Sequence, residues 1–176
     1  LSAYANSEIL EKIHKYNNTF PPIEIDSIKD TDTILIIGLN GSVSHPIIEN
    51  RIRKAYRNGT KIIFANPYDN RTSSFSHNTI IFKNGGELLL LHTILSGLLR
   101  NKNGGKTENL KLQLEELDFN SACNQLGISG SQVNSVVKLI SDSNKLLILA
   151  GDGLLRGSNC IDSFNALYNL QLLQKY

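Results

Sequence analysis

Methionine and tryptophan are absent from this 176-residue chain, cysteine occurs twice and proline four times. Cys123 and Cys160 lie far apart, with no CxxC or His/Cys spacing around either. A structural zinc site or an iron–sulfur cluster held by this chain alone is thereby excluded. So is a disulfide-stapled fold, and a reducing compartment is expected. Without an initiator methionine the chain opens Leu1-Ser2-Ala3 and reads as an excised piece. No apolar run approaches the ~18 residues of a membrane span, and no signal peptide is present, so direct membrane insertion is not expected. An excess of one charge is missing too: 18 basic and 16 acidic residues, well mixed, give a formal +2. No basic stripe exists to grip a phosphate backbone, and nucleic acid is not an expected partner.

What is there is the composition of a globular domain: 40% hydrophobic, 19% charged, with 13 glycines. At ~150 residues per domain the length fits one domain or slightly more. Such a chain hides roughly 70% of its unfolded surface and needs neither metal nor disulfide to fold.

Residues 3–15 carry Ile9, Leu10 and Ile13 near helical spacing, and the turn-rich Asn17 to Pro22 follows. We therefore expect an N-terminal helix and linker over 1–29 and the main domain over 30–176. Thr33 to Ile37 is uniformly apolar and β-branched, as in a parallel strand buried on both faces. It breaks at Gly38-Leu39-Asn40-Gly41-Ser42. A helix follows, with Ser44 as expected N-cap and Pro46 in the first turn. Ile47, Ile48, Ile52, Ala55 and Tyr56 form its expected apolar stripe, with Glu49, Arg53, Lys54 and Arg57 facing water. Gly59 suits a left-handed cap. Lys61 to Ala65 is the next strand, completing a right-handed βαβ unit.

Thr79 to Phe82 reads as a third strand, and Asn84-Gly85-Gly86 opens a helix from Glu87 to about Arg100, apolar nearly all round and expected to be deeply buried. Leu110, Leu112, Leu114 and Leu117 fit a helix or, by their alternation, a strand. A short helix ends at Leu126-Gly127, and Ser129 with Gln132 forms a capping box for one reaching about Ser141. Leu146 to Ala150 is a fourth strand closed by Gly151-Asp152-Gly153, and Ile161 to Leu173 is helical. The order β-α-β-β-α-α-α-β-α defines an α/β domain around a mainly parallel sheet. It fixes a superfold, not a function.

Three buried strands thus break into Gly, Asn or Ser before a helix or loop: at Gly38 to Ser42, Asn66-Pro67-Tyr68 and Gly151 to Gly153. Asn84-Gly85-Gly86 adds a fourth such turn. In an open parallel sheet these turns share the carboxyl edge, where ligands bind at the switch point. They suit either ordinary turn geometry or a nucleotide site, because GxNG falls short of GxGxxG. The histidines offer no catalytic set: His14 and His77 are expected in polar surroundings, His45 beside Pro46, and His92 in the apolar helix. No Gly-x-Ser-x-Gly elbow or HExxH occurs. Glu115, Glu116 and Asp118 are expected to be a solvated acidic helix end. A self-contained hydrolase is not expected.

Taken together, the turns resemble those of the molybdopterin oxidoreductase family. Ile37-Gly38-Leu39-Asn40 before Ser44-His45-Pro46 is similar to that family's Gly-x-Asn-Pro turn and Ser-His-Pro helix start. Asn58 to Ile63 followed by Asn66-Pro67-Tyr68 resembles its Gly-Ala-Lys-Ile-Ile strand closing on Asp-Pro-Arg. Asn84-Gly85-Gly86 before Leu88 to Leu91, Leu126 to Ser129, Gly151-Asp152-Gly153 and Leu167 to Leu170 continue the match in order, over residues 30–175.

The resemblance implies a Rossmann-like three-layer domain gripping one guanine dinucleotide half of a bis-molybdopterin cofactor. By position, Gly38, Asn40 and Ser44 would approach the diphosphate or nucleoside. Asn66 and Tyr68 would face the ribose and guanine, with Gly85 and Gly151 giving close backbone approach. Asn66 stands where the family has aspartate, Tyr68 where it has arginine, Gly41 where it has proline, and Glu87 adds an anion beside the diphosphate position. These departures lead us to expect no tightly bound cofactor in this piece, with molybdopterin guanine dinucleotide left to the full-length parent. They also imply a branch like the large iron–sulfur subunit of the respiratory NADH–quinone oxidoreductase (NADH dehydrogenase). There the domain would be non-catalytic and support electron transfer. It would pack on other domains of the parent and other redox subunits, in the cytoplasm and peripheral to the inner membrane. The excised piece would be prone to self-association. A formate dehydrogenase-like catalytic chain and a stand-alone nucleotide-sensing module are the alternatives.

Overall fold

The computed structural model describes residues 24–100, 116–155 and 158–175, with Glu11, Lys15, Leu110 and Leu114 as isolated positions. Apart from those four positions, the readings made for residues 3–15, the 17–22 turn and 101–115 lie outside the described residues. The four isolated positions are helical.

Four strands form one sheet in the order β3-β2-β1-β4. They are β1 (Thr33–Ile37), β2 (Lys61–Asn66), β3 (Asn78–Ile81) and β4 (Leu146–Ala150). Every pairing is parallel, with Thr33 level with Lys61 and Leu146, and Ile37 level with Ala65 and Ala150. β1 lies between two strands and under helices on both faces, which is why all five of its residues are buried. Each fully buried Ile or Leu contributes ~1.5–3 kcal/mol of transfer free energy.

Strand alternation divides the core in two. Leu35, Ile37, Ile63, Ala65 and Ile80 pack against the long apolar helix α3 (Glu87–Arg100) and its neighbours α4 (Phe119–Leu126), α5 (Gly130–Ser141) and α7 (Cys160–Lys175). Ile34, Ile36, Ile62, Phe64 and Leu147 face the other way. They meet helix α2 (Pro46–Arg57), Phe75 and the 3-10 helix Ile25–Asp30, whose Ile28 is buried. The three layers and the parallel sheet are those expected. α3 is as buried as its sequence implies, crossing α5 so closely that a Cβ on Gly97 would lie 2.7 Å from Val137 Cγ2.

Local signals account for the helix ends. Ser129 and Gln132 form the expected capping box of α5, and Gly127, at φ 71°, closes α4. Gly59, at φ 96°, follows the C-cap of α2. Four expectations are corrected. Ser44 is not the N-cap of α2; it ends a one-turn helix α1 (Gly41–Ser44), and His45 holds the N-cap position. Ile47 and Tyr56 are 66% and 39% exposed because the buried stripe narrows to Ile52, Ala55 and the half-buried Ile48. Glu49, expected in water, is buried, because loop residues supply it with partners. Asp118 is not merely solvated acid: its carboxylate accepts from the N–H groups of Asn120 and Ser121 as the N-cap of α4.

The chain winds from β1 through β2 to β3 on one side, then returns to place β4 on the other side of β1. The carboxyl ends of β1 and β4 therefore flank the switch point of the sheet.

Candidate functional site

The turns that follow all four strands meet along this carboxyl edge. At the switch point the glycines serve the chain itself. Gly151 N–H donates to Ile37 O at 2.9 Å, and Gly153 N–H to Gly38 O at 3.1 Å. A Cβ on Gly151 would stand 2.3 Å from Gly38 O and 2.4 Å from Leu39 Cα. Gly38 has φ +63° and packs on Leu154 in the short helix α6 (Asp152–Leu155). The close approach expected at Gly151 is thus made here to the β1 turn.

Beside it, β1 and β2 end in a polar cluster of uncharged groups. Asn40 Oδ1 accepts from Ser42 Oγ at 3.0 Å, and the Asn40 carbonyl accepts from Ser44 Oγ at 2.8 Å. Ser44 is exposed, its hydroxyl 2.8 Å from His45 Nδ1. Asn66, at the last position of β2, is 1% exposed, and its Nδ2 donates to Leu39 O at 2.9 Å. Its Oδ1 is buried with no hydrogen-bond partner among the described residues. The orientation of the amide follows from that bond, because a carbonyl accepts only. Asn70 Nδ2 reaches the same Leu39 carbonyl at 3.3 Å.

This arrangement changes the meaning of asparagine at position 66. A carboxylate has no donor for Leu39 O, whereas the amide spends its N–H there and keeps one acceptor over. Exchanging aspartate for asparagine here therefore removes only part of the acceptor capacity. Tyr68, 56% exposed, stands on the rim two residues further on.

Beneath the cluster lies a buried charge. Glu49 on α2 is 4% exposed. One carboxylate oxygen accepts from Thr72 Oγ1 at 2.7 Å, and the other from Arg53 at 3.2 Å. The Arg53 guanidinium also lies 4.6 Å from the Phe75 ring centroid. Gly41 leaves the space for this carboxylate: a Cβ there would be 2.7 Å from Glu49 Oε2.

Gly85, exposed at φ +81°, lines a cavity of about 40 Å3 with Glu87, Leu88, Gly153, Leu154 and Ser163. At ~10–15 Å3 per water it has room for a few waters, not for a nucleotide. The described turn residues 38–44, 66–72, 84–87 and 151–154 hold Asp69, Glu87 and Asp152 against Arg71. Of the histidines, His92 is half-buried in α3, and burial pushes its pKa down although Asp162 pulls the other way. Among the described residues no group of three His, Cys, Asp or Glu side chains could hold a metal ion. Nor is any helix among them long and apolar enough to cross a membrane.

Asn40, Asn66, Gly85 and Gly151 therefore share one edge, as expected, with Gly38, Ser44 and Tyr68 beside them. Sequence reasoning does not single out Asn70, Thr72 or Glu49; the Asn-x-Thr turn at 70–72 is their one local signal.

A parallel sheet in this order, with helices on both faces, defines a Rossmann-like three-layer α/β domain. The molybdopterin oxidoreductase family model matches residues 3–176, and the chain belongs to that family. It is similar to formate dehydrogenase H of Escherichia coli, 28% identical over 158 residues, covering 85% of this chain and 22% of that protein. A nitrate reductase of Shewanella frigidimarina is 26% identical over 160 residues, covering 84% of this chain and 17% of that protein. Acetylene hydratase from Pelobacter acetylenicus shares the fold, with a TM-score of 0.78 at 15% identity over 93% of this chain and 24% of its own. The chain spans about a fifth of the length of the curated relatives it matches.

Proposed function

We propose that this chain is a cofactor-binding domain of a formate dehydrogenase-like catalytic chain, and that its carboxyl-edge turns hold the nucleoside end of a molybdopterin guanine dinucleotide. One observation carries the reading: Asn66 Oδ1 is a buried acceptor without a partner among the described residues. Burying such an oxygen unpaired costs ~1–3 kcal/mol, a cost removed by a ligand donor. Guanine and ribose both carry N–H or O–H donors. Asn40 and Ser42 on the turn after β1, and Tyr68 and Asn70 on the loop after β2, add neutral hydrogen-bonding groups suited to a nucleoside on the same edge.

The diphosphate end is less well served, because Glu87 and Asp152 stand at the turns nearest Gly85 and Gly153. Described residues 84–87 and 151–154 offer an anion backbone N–H groups. The bound cofactor supplies the redox-active metal. The residues here bind and orient its nucleotide, and the layer of helices behind them keeps water from the sheet. The remaining domains of the same polypeptide and other redox subunits are its partners in this reading.

A non-catalytic role like that of the large iron–sulfur subunit of NADH–quinone oxidoreductase is the second reading, favoured by the acidic residues at the rim. Metal analysis of the full-length protein separates the two. Molybdenum or tungsten near one per polypeptide is expected; its absence from protein made with ample metal would overturn the first reading in favour of the second.

A further inference from the structure

Glu49 lies on α2, outside the turns, yet a continuous chain of hydrogen bonds runs from it to the acceptor cluster. Glu49 Oε2 accepts from Thr72 Oγ1 at 2.7 Å. Thr72 N–H donates to Asn70 Oδ1 at 2.9 Å. Asn70 Nδ2 donates to Leu39 O at 3.3 Å, and Asn66 Nδ2 donates to the same oxygen at 2.9 Å. Arg53 holds the other carboxylate oxygen and covers Phe75, so the 70–75 loop is gripped at both ends. Gly41 closes the arrangement from the β1 side, where any side chain would collide with the carboxylate.

We propose that Glu49 and Thr72 are positioning residues. Together they clasp the turn after β1 to the loop after β2, and so hold Asn66 and Asn70 in the arrangement that accepts a nucleoside. This rests on the nucleoside reading above. Three features support a dedicated clasp. The carboxylate is buried, where an unpaired charge is costly, and it is satisfied by groups from one loop and its own helix. Its loop partner, Thr72, lies on the segment that carries Asn66, Tyr68 and Asn70. The bond to Thr72 is short and charge-assisted, the stronger kind of hydrogen bond.

The test uses the full-length protein freed of cofactor, with GDP as probe, titrated calorimetrically in the wild type, Thr72→Val and Thr72→Ser. Valine keeps the shape and removes the hydroxyl; serine restores it. Thr72→Val is expected to weaken GDP binding about tenfold, the order set by one charge-assisted hydrogen bond, and Thr72→Ser to bind like wild type. Amide exchange in residues 66–72 should quicken in Thr72→Val alone. Should Thr72→Val not fold, Thr72→Ala removes the same hydroxyl with a smaller side chain and is expected to give the same weakening. Wild-type GDP affinity in whichever of these variants folds would overturn the clasp and leave the nucleoside reading standing. No GDP binding by the wild type would overturn both.

Discussion

Gly38 and Gly151 are in backbone contact: no methyl group fits between Gly151 and the carbonyl oxygen of Gly38, 2.3 Å from where a Cβ would be. The switch point of the sheet is closed by the chain itself. In the proposed reading the nucleoside is therefore met by the turns after β1 and β2.

Gly151→Ala should then destabilise the domain by more than ~3 kcal/mol or prevent folding, since the colliding atoms are backbone and cannot swing aside. Gly85 offers the contrast. It has nothing within 4 Å of a Cβ, and only its φ of +81° opposes substitution. Gly85→Ala should cost ~1–2 kcal/mol. Urea unfolding of the two variants checks the order, and equal losses would contradict the packing described.

Asn66→Asp restores the residue type the family resemblance leads one to expect, yet it should destabilise this protein by ~1–3 kcal/mol at neutral pH. A carboxylate oxygen would face Leu39 O in place of the donating amide. Thermal and urea unfolding against wild type test this; a variant as stable as wild type would show that the Asn66–Leu39 bond carries no weight.

Asp32 anchors the opposite edge of the sheet. Its carboxylate accepts from Ser143 Oγ and from the N–H groups of Asn144 and Lys145. Burial opposes ionisation, but these hydrogen bonds outweigh it and hold the pKa below the ordinary 3.8. A lowered folded-state pKa means stability that is present above the unfolded value and lost as pH falls through the folded one. The stability gap between wild type and Asp32→Asn, followed from about pH 6 to about pH 2, should therefore be widest at the upper end and shrink below about pH 4. A gap that stays constant over this range would contradict the hydrogen bonding described.

His77 works in a neighbouring range. Its ring Nδ1 accepts the Ile62 N–H at 3.1 Å, a bond only the unprotonated nitrogen can make. Burial first, then Lys61, lowers its pKa from 6.5. The neutral ring is favoured in the folded state, so its contribution is complete above pH 6.5 and declines as pH falls toward the folded pKa. An NMR titration should place His77 below an unfolded-state histidine; a raised value would contradict the bond to Ile62.

The fold is legible in the sequence where one signal suffices. Residues 34–37 of β1 and 62–65 of β2 are uniformly apolar because both faces of these strands are covered, and the capping box at Ser129 and Gln132 marks its helix without tertiary help. The gathering of Asn40, Asn66, Gly85 and Gly151 on one edge follows from strand polarity alone. Glu49 is not legible, since periodicity assigns it to water and its burial depends on Thr72, 23 residues away, and on the missing side chain of Gly41. Ser44 misleads because a one-turn helix precedes α2 and shifts the cap to His45. Asn66 is recognisable as a departure from aspartate, but the division of its amide between Leu39 and a buried, unpartnered acceptor exists only in three dimensions.

The most direct test of the nucleoside site is the guanine nucleotide released by acid from the purified full-length protein, measured per polypeptide in the wild type and in Asn66→Ala. The account predicts stoichiometric guanine nucleotide in the wild type and a clear reduction in the variant. None in the wild type, or an undiminished amount in a folded Asn66→Ala variant, would contradict it.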